Sequence, residues 1–107
     1  MHARVSSYEF PPERADEVIA AFDADDRLPA LAGVVEAYLL VDREAGTALT
    51  LTVWEDEAAL RRTERPADDI RADATGPAGG AVRRVDRYEV ALHERFAPSG
   101  GRAGATA

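Results

Sequence analysis

The chain has 107 residues, the length of one domain, and its 13 basic residues stand against 20 acidic ones for a net charge of −7. It contains no cysteine and no lysine, which excludes disulfides, thiolate chemistry and a Schiff-base lysine. Acidic residues dominate segment 9–26. Because such a surface repels phosphate backbones, we expect no nucleic-acid partner.

Membrane association and export are not expected either. The N-terminal segment MHARVSSYEF lacks the apolar core of a signal peptide. The most apolar run, VVEAYLLV at 34–41, is too short to cross a bilayer and contains Glu36. These features predict a cytoplasmic protein.

The first half of the chain alternates between strand and helix patterns. Loose alternation over 3–9 predicts strand one, and the proline pair at 11–12 ends it and suits the first turn of a helix. Strand two covers 34–41, and the segment DREAG predicts a hairpin turn in which Gly46 takes a positive φ. Helix one has a single apolar stripe, formed by Ala15, Val18, Ile19 and Phe22.

The segment LTLTVWEDEAAL at 49–60 predicts strand three followed by helix two. Leucine and valine alternate with Thr50, Thr52 and Trp54, so the strand has an aliphatic face and a face of hydroxyls and tryptophan. Asp56 is placed to cap a helix that we expect from Asp56 to Glu64, with a break at Pro66 and a further helical segment through Ala74.

The last predicted element is strand four at 81–93. Val82 and Val85 are three residues apart, out of phase for a strand, which predicts a bulge near Arg83–Arg84. We assign residues 1–95 to the domain and predict that the glycine-rich tail at 96–107 is disordered.

The order β-α-β-β-α-β predicts an α+β, ferredoxin-like subunit: an antiparallel four-stranded sheet with two helices on one face. The other sheet face then remains bare and apolar, and a second copy of the chain is the simplest cover for it. We expect this open face to include Tyr38, Leu40, Trp54, Tyr88, Val90 and Leu92.

The element order, the length, LTLTVWEDEAAL and the closing VDRYEVALHE resemble the antibiotic biosynthesis monooxygenase (ABM) family over about residues 2–95. The resemblance implies a dimeric α+β barrel, a homodimer in which two sheets pack face to face, with a pocket between sheet and helices in each subunit. On this basis Thr50, Thr52 and Trp54 are predicted to face the barrel interior and the dimer contact. Some members oxidise aromatic polyketides with oxygen and no cofactor, whereas others degrade haem.

The haem-degrading branch requires a histidine on helix two and a tryptophan about ten residues before it. The corresponding positions in this chain fall near Asp73 and Thr63, and neither residue can replace the histidine or the tryptophan. The histidines are His2 and His93, and no cluster has metal-ligand spacing, so we expect no metal and no cofactor.

The sequence therefore leaves two functions open: a cofactor-independent monooxygenase acting on a small aromatic or polyketide-like molecule, and a non-catalytic ligand-binding or accessory dimer. For the enzyme, Glu36 is the candidate base, with a pKa raised by burial, and Arg87 and Trp54 are the other candidate catalytic residues. The candidate residues for binding a small hydrophobic substrate are Tyr8, Tyr38, Thr52, Phe22 and Tyr88.

Each candidate also has a structural interpretation. Trp54 is a suitable packing residue at the end of strand three, and Thr52 is a good strand former. Glu36 would equally pair with Arg87 or Arg4 on a neighbouring strand, and Tyr38 and Tyr88 are typical of a dimer face.

Overall fold

The structure, a computed structural model, describes residues 1–97, so nearly all of the predicted disordered tail lies outside the described residues, and the domain limits of 1–95 stay a prediction. The sheet has the strand order β2-β3-β1-β4, and all neighbours are antiparallel. Its strands are β1 (His2–Glu9), β2 (Val34–Asp42), β3 (Thr47–Trp54) and β4 (Ala81–Glu89), and the helices are α1 (Ala15–Ala24), α2 (Glu57–Arg62) and α3 (Glu64–Thr75). The predicted ferredoxin-like α+β fold is confirmed.

The second predicted helix is divided into α2 and α3 at Thr63, not at Pro66. The Asp56 side chain caps α2 as predicted, because its Oδ1 accepts a hydrogen bond of 2.8 Å from the amide of Ala59. Pro66 lies in the first turn of α3, where a missing amide hydrogen leaves no bond unmade. Within residues 1–97, no helix is both long enough and apolar enough to span a bilayer.

β4 carries the predicted bulge but ends earlier than predicted. Val82 pairs with Tyr8 and Arg84 pairs with Ser7, so Arg83 is the extra residue. The strand ends at Glu89 rather than at 93. The following segment, residues 90–97, brings His93 and Arg95 within 4 Å of Glu36 on β2, and we call it the strap.

The pairing register shows which side chains share the sheet face that the helices cover. Arg4 and Ser6 of β1 stand opposite Thr52 and Thr50 of β3, and this row lies on the helix side of the sheet. Trp54 belongs to the same row and packs on α2. The prediction that Thr50, Thr52 and Trp54 face the dimer contact is therefore wrong. Alternation separates two faces of a strand, but it does not say which one receives the helices.

The opposite face of the sheet is not covered by helices, as predicted, although Ala3 and Val53 are buried at the end where Arg95 of the strap binds Glu36. We call it the open face, and it carries Leu49 and Leu51 of β3 with side chains of the two edge strands. Tyr38, Leu40 and Tyr88 are each about half exposed there, at 49%, 51% and 52%. Monomeric proteins seldom leave a contiguous apolar face of this kind in water.

Candidate functional site

A cavity of about 620 Å³ lies between the helix side of the sheet and helices α1 and α3. Its walls are mainly aliphatic and aromatic, and this size suits a small organic molecule. The apolar residues that line it include Ile19, Phe22, Leu28, Leu39, Val41, Ala67 and Ile70. The stripe predicted for α1 supplies Ile19 and Phe22, which confirms that this stripe faces the sheet.

The floor of the cavity is polar and comes from the two central strands. Tyr8 and Thr50 share a hydrogen bond of 2.6 Å between their hydroxyl oxygens. The indole Nε1 of Trp54 donates to Thr52 Oγ1 at 3.0 Å. Phe22 meets the Tyr8 ring edge-on, with ring centroids 5.5 Å apart. Burial raises the pKa of Tyr8 above its usual value, so this phenol stays protonated at neutral pH.

Arg4 is a buried cation at this floor, with 2% of its surface exposed. Its guanidinium lies over the ring of Trp54, 5.3 Å from the centroid. Nη2 donates to the carbonyl oxygen of Leu60 at 2.5 Å. Neither Nε nor Nη1 has a hydrogen-bond partner among residues 1–97. Desolvation, with a further contribution from the charge of Arg71, lowers the pKa of Arg4 to about 10.

A second buried arginine, Arg71, reaches the cavity from α3. It is 5% exposed, and its Nη2 forms a short ion pair with the exposed carboxylate of Asp68. Arg71 follows Ile70 and stands four residues after Ala67, two buried residues of α3 that also line the cavity. A cation within the apolar stripe of a helix is the sequence signal that could have identified this residue, which our sequence analysis missed.

The rim of the cavity carries charges of both signs. Asp23, Asp25 and Arg43 are among the lining residues. Arg27 donates to Asp25 through Nη2 at 2.5 Å, and this bond holds the pKa of Asp25 below its usual value. Asp25 is therefore ionised and neutralised at the mouth, and it is a poor proton acceptor.

The structure brings the side chains of four predicted site residues to the cavity: Tyr8, Thr52, Phe22 and Trp54. Tyr38 borders the cavity, but it pairs with Leu51 and its side chain lies on the open face. Trp54 is fully buried in a cluster with Ala59 and Leu60, as its packing interpretation requires. Arg4 was considered in the sequence as a partner of Glu36.

Glu36, Arg87 and Tyr88 do not line the cavity. Arg95 of the strap donates to Glu36 at 2.8 Å and holds the pKa of Glu36 below its usual value, so the predicted raised pKa is wrong. The predicted pairing of Glu36 with Arg87 or Arg4 is not observed. Instead, Arg87 forms a short ion pair with Glu64. The contact with Arg95, 59 positions along the chain from Glu36, could not be foreseen from strand patterns.

The cavity does not fit a haem held by histidine. Its lining contains no histidine. At the two positions compared above, Thr63 donates to the carbonyl of Ala59 at 2.8 Å, and Asp73 pairs with Arg27 at 2.9 Å. Residues 1–97 also contain no group of three or more His, Cys, Asp or Glu side chains arranged to hold a metal ion.

Comparison with known proteins identifies a family. Residues 1–65 match the model of the antibiotic biosynthesis monooxygenase family. The uncharacterized proteins MT2635 and Rv2558, from two strains of Mycobacterium tuberculosis, are each 33% identical to this chain over 102 residues. The match covers 92% of this chain and 42% of each relative, so the chain spans about two fifths of their length.

Solved structures share the fold at low sequence identity. The haem degrader MhuD of Mycobacterium tuberculosis aligns with a TM-score of 0.65 and 18% identity, over 89% of this chain and 100% of its own. SnoaB, a cofactor-independent oxygenase from Streptomyces nogalater, aligns with a TM-score of 0.59 and 20% identity, over 91% of this chain and 96% of its own. A dimeric ferredoxin-like protein from an uncultured marine organism aligns with a TM-score of 0.68 and 9% identity, over 90% of this chain and 100% of its own. These neighbours establish the fold and leave the reaction open.

Proposed function

Because this chain belongs to the antibiotic biosynthesis monooxygenase family, we propose that it forms a homodimer that binds a small aromatic molecule in its cavity and oxidises it with molecular oxygen, without a cofactor. The observation that carries the proposal is the cavity of about 620 Å³, with apolar walls and a polar floor. In such a reaction an activated ring CH₂ and one O₂ give a ring carbonyl and one water, so atoms balance without an added reductant.

The walls and the floor have separate tasks. Phe22 and Ile70 provide apolar surface against which an aromatic ring is desolvated. Tyr8, kept neutral by burial, can donate its hydroxyl proton to an oxygen of the substrate. A water-poor site of this kind stabilises the electron-rich form of the substrate that reacts with oxygen.

The roles assigned to the predicted residues change accordingly. Tyr8, Thr52 and Phe22 remain our proposed binding residues, since their side chains line the cavity, whereas we assign Tyr38 to the open face. We assign Trp54 to positioning: it is fully buried, its Nε1 is bonded to Thr52, and its ring supports the guanidinium above it. Glu36 is withdrawn as the base, because Arg95 binds it outside the cavity.

The proposed homodimer uses the open face. Tyr38, Leu40 and Tyr88 are half exposed there, and a second copy would remove them from water. The similar marine ferredoxin-like protein is dimeric. We expect the mass of a dimer by light scattering at micromolar concentration and a monomer for Leu40→Arg, whereas a wild-type monomer would contradict this part of the proposal.

A second candidate function is ligand binding without catalysis. It is favoured by the shortage of bases at the cavity, where the lining carboxylates are Asp23 and Asp25 and the second is held ionised by Arg27. The same walls and floor would then serve storage or delivery of an aromatic compound.

Oxygen uptake separates the two functions. The purified, metal-stripped protein is tested in an oxygen electrode with anthrones, naphthols and hydroquinones, and quinone formation is followed by absorbance. We expect uptake that falls at least about tenfold in Tyr8→Phe. Tyr88→Phe is the matched control, since it removes a tyrosine hydroxyl from the open face. Binding without uptake across the panel would favour the second function.

A further inference from the structure

Two buried guanidinium groups face one cavity, and neither is fully neutralised within it. Arg4 is 2% exposed and Arg71 is 5% exposed. The charge of Arg71 lowers the pKa of Arg4, which shows that the two cations repel each other across the floor. Isolated buried charges are costly in a folded protein, and two like charges at one site are costlier still.

The carboxylates that act directly on Arg4 and Arg71 lie outside the cavity. Asp68, the partner of Arg71, has a side chain 67% exposed. Glu64 attracts Arg4 from the start of α3 but is bound to Arg87 at the sheet edge. The hydrogen-bond partner of Arg4 at 2.5 Å is a neutral carbonyl. The cavity floor is therefore positive, although the chain as a whole has a net charge of −7.

Two nitrogens of Arg4 emphasise this imbalance. Nε and Nη1 are shielded from solvent and have no acceptor among residues 1–97. Buried donors are nearly always bonded in native proteins, so the charge of Arg4 is less compensated by acceptors than is usual for a buried group. Because these nitrogens are shielded, Arg4 acts on a bound molecule mainly through its charge, and Arg71 acts from the helix side.

From these observations we infer that the ligand of the cavity is an aromatic anion, a planar molecule whose carboxylate, phenolate or enolate oxygen lies at the floor between Arg4 and Arg71. The inference rests on the proposed function and narrows its substrate class. The apolar walls exclude small inorganic anions as the main ligand, since Ile19, Phe22 and Ile70 offer them no hydrogen bond. Of the two acidic rim residues, Asp25 is neutralised by its ion pair with Arg27. Asp23 is exposed to solvent, where salt screens its charge.

The test uses two probes of nearly equal shape, 2-naphthoate and 2-naphthamide, titrated into the protein by calorimetry at low and high ionic strength. We expect 2-naphthoate to bind at least about tenfold more tightly than the neutral amide. The preference should persist at high ionic strength, because buried charges are weakly screened.

Two variants test whether a charge at the cavity floor causes the preference for 2-naphthoate over 2-naphthamide. Arg71→Gln should reduce it to about twofold by weakening naphthoate binding alone. Arg65→Gln is the matched control, since it removes the same charge from an exposed position on the same helix, and it should leave both affinities unchanged. If Arg71→Gln does not fold, Arg71→Met keeps the aliphatic stem and removes the charge.

Each outcome is decisive. Equal affinity for the two probes, or a preference that survives Arg71→Gln, overturns the inference and leaves the aromatic pocket of the proposed function intact. Failure of both probes to bind overturns the inference together with the pocket. A preference lost in Arg71→Gln and kept in Arg65→Gln supports the aromatic anion.

Discussion

Replacing Arg4 by methionine should leave the protein about as stable as the wild type. A buried residue of this size normally costs several kcal/mol when changed. Arg4 differs because its charge is held at the floor for a ligand, and two of its nitrogens have no partner among residues 1–97. Methionine fills a similar volume, packs on Trp54 and carries no charge.

The magnitude follows from the lowered pKa of Arg4. Each pKa unit corresponds to about 1.4 kcal/mol, so a guanidinium that titrates at about 10 costs the folded state roughly 3 kcal/mol relative to water. This cost is present at all pH values below about 10, where the group is charged in both states. The unfolded chain binds more protons above that pH, so stability then rises with pH.

Two favourable interactions are lost with the charge. The hydrogen bond to the carbonyl of Leu60, 2.5 Å long, and the contact with the Trp54 ring together contribute about 2–4 kcal/mol. The Thr63 hydroxyl donates to the carbonyl of Ala59 at 2.8 Å and lies 3.1 Å from the carbonyl of Leu60, so it can share its proton with the acceptor that Arg4 leaves. A gain of roughly 3 kcal/mol set against a loss of about 2–4 kcal/mol predicts a free energy of unfolding within about 1 kcal/mol of that of the wild type.

Urea unfolding followed by far-ultraviolet circular dichroism, at one fixed protein concentration, measures the change. Leu60→Ala is the reference in the same cluster: it is 2% exposed, and its truncation should cost about 2–5 kcal/mol. Added 2-naphthoate should stabilise the wild type more than Arg4→Met. A loss of more than about 2 kcal/mol in Arg4→Met without ligand would refute the view of Arg4 as a charge kept for binding.

Two further changes probe the fold and the floor. Gly33→Ala should lower the free energy of unfolding, measured by thermal unfolding, by roughly 2 kcal/mol or more, because φ is +93° and a Cβ would lie 2.5 Å from that of Ala59. Gly76→Ala is the control: this glycine is helical, its Cβ would have no atom within 4 Å, and the change should be neutral or slightly stabilising. Equal effects would contradict this difference. Tyr8→Phe should lose about 1 kcal/mol with its bond to Thr50. Since the folded state prefers the neutral phenol, the stability of the wild type relative to Tyr8→Phe should fall as pH rises above about 10. A difference that stays constant with pH would contradict the raised pKa of Tyr8.

Sequence patterns were sufficient for the fold because each element depends on neighbouring residues. The cap at Asp56, the turn at Gly46 and the bulge at Arg83 all follow from local backbone chemistry. The break in the second helix was misplaced by three residues, since Thr63 ends α2 before the first turn of α3 accommodates Pro66.

The candidate site was predictable only in part. Tyr8, Thr52 and Phe22 were identified as lining residues from their elements. Glu36 was misjudged because its partner, Arg95, arrives on a strap with no strand or helix pattern.

Local periodicity specifies strands, helices and the existence of two unlike faces, because those properties repeat every two or nearly four residues. The direction of the polar face of β3 depended on which side α1 and α3 pack, and that choice involves contacts between residues far apart in the chain. The burial of Arg4 and Arg71 at one floor has the same origin. Charge in the sequence indicated an acidic surface, while packing created a positive interior.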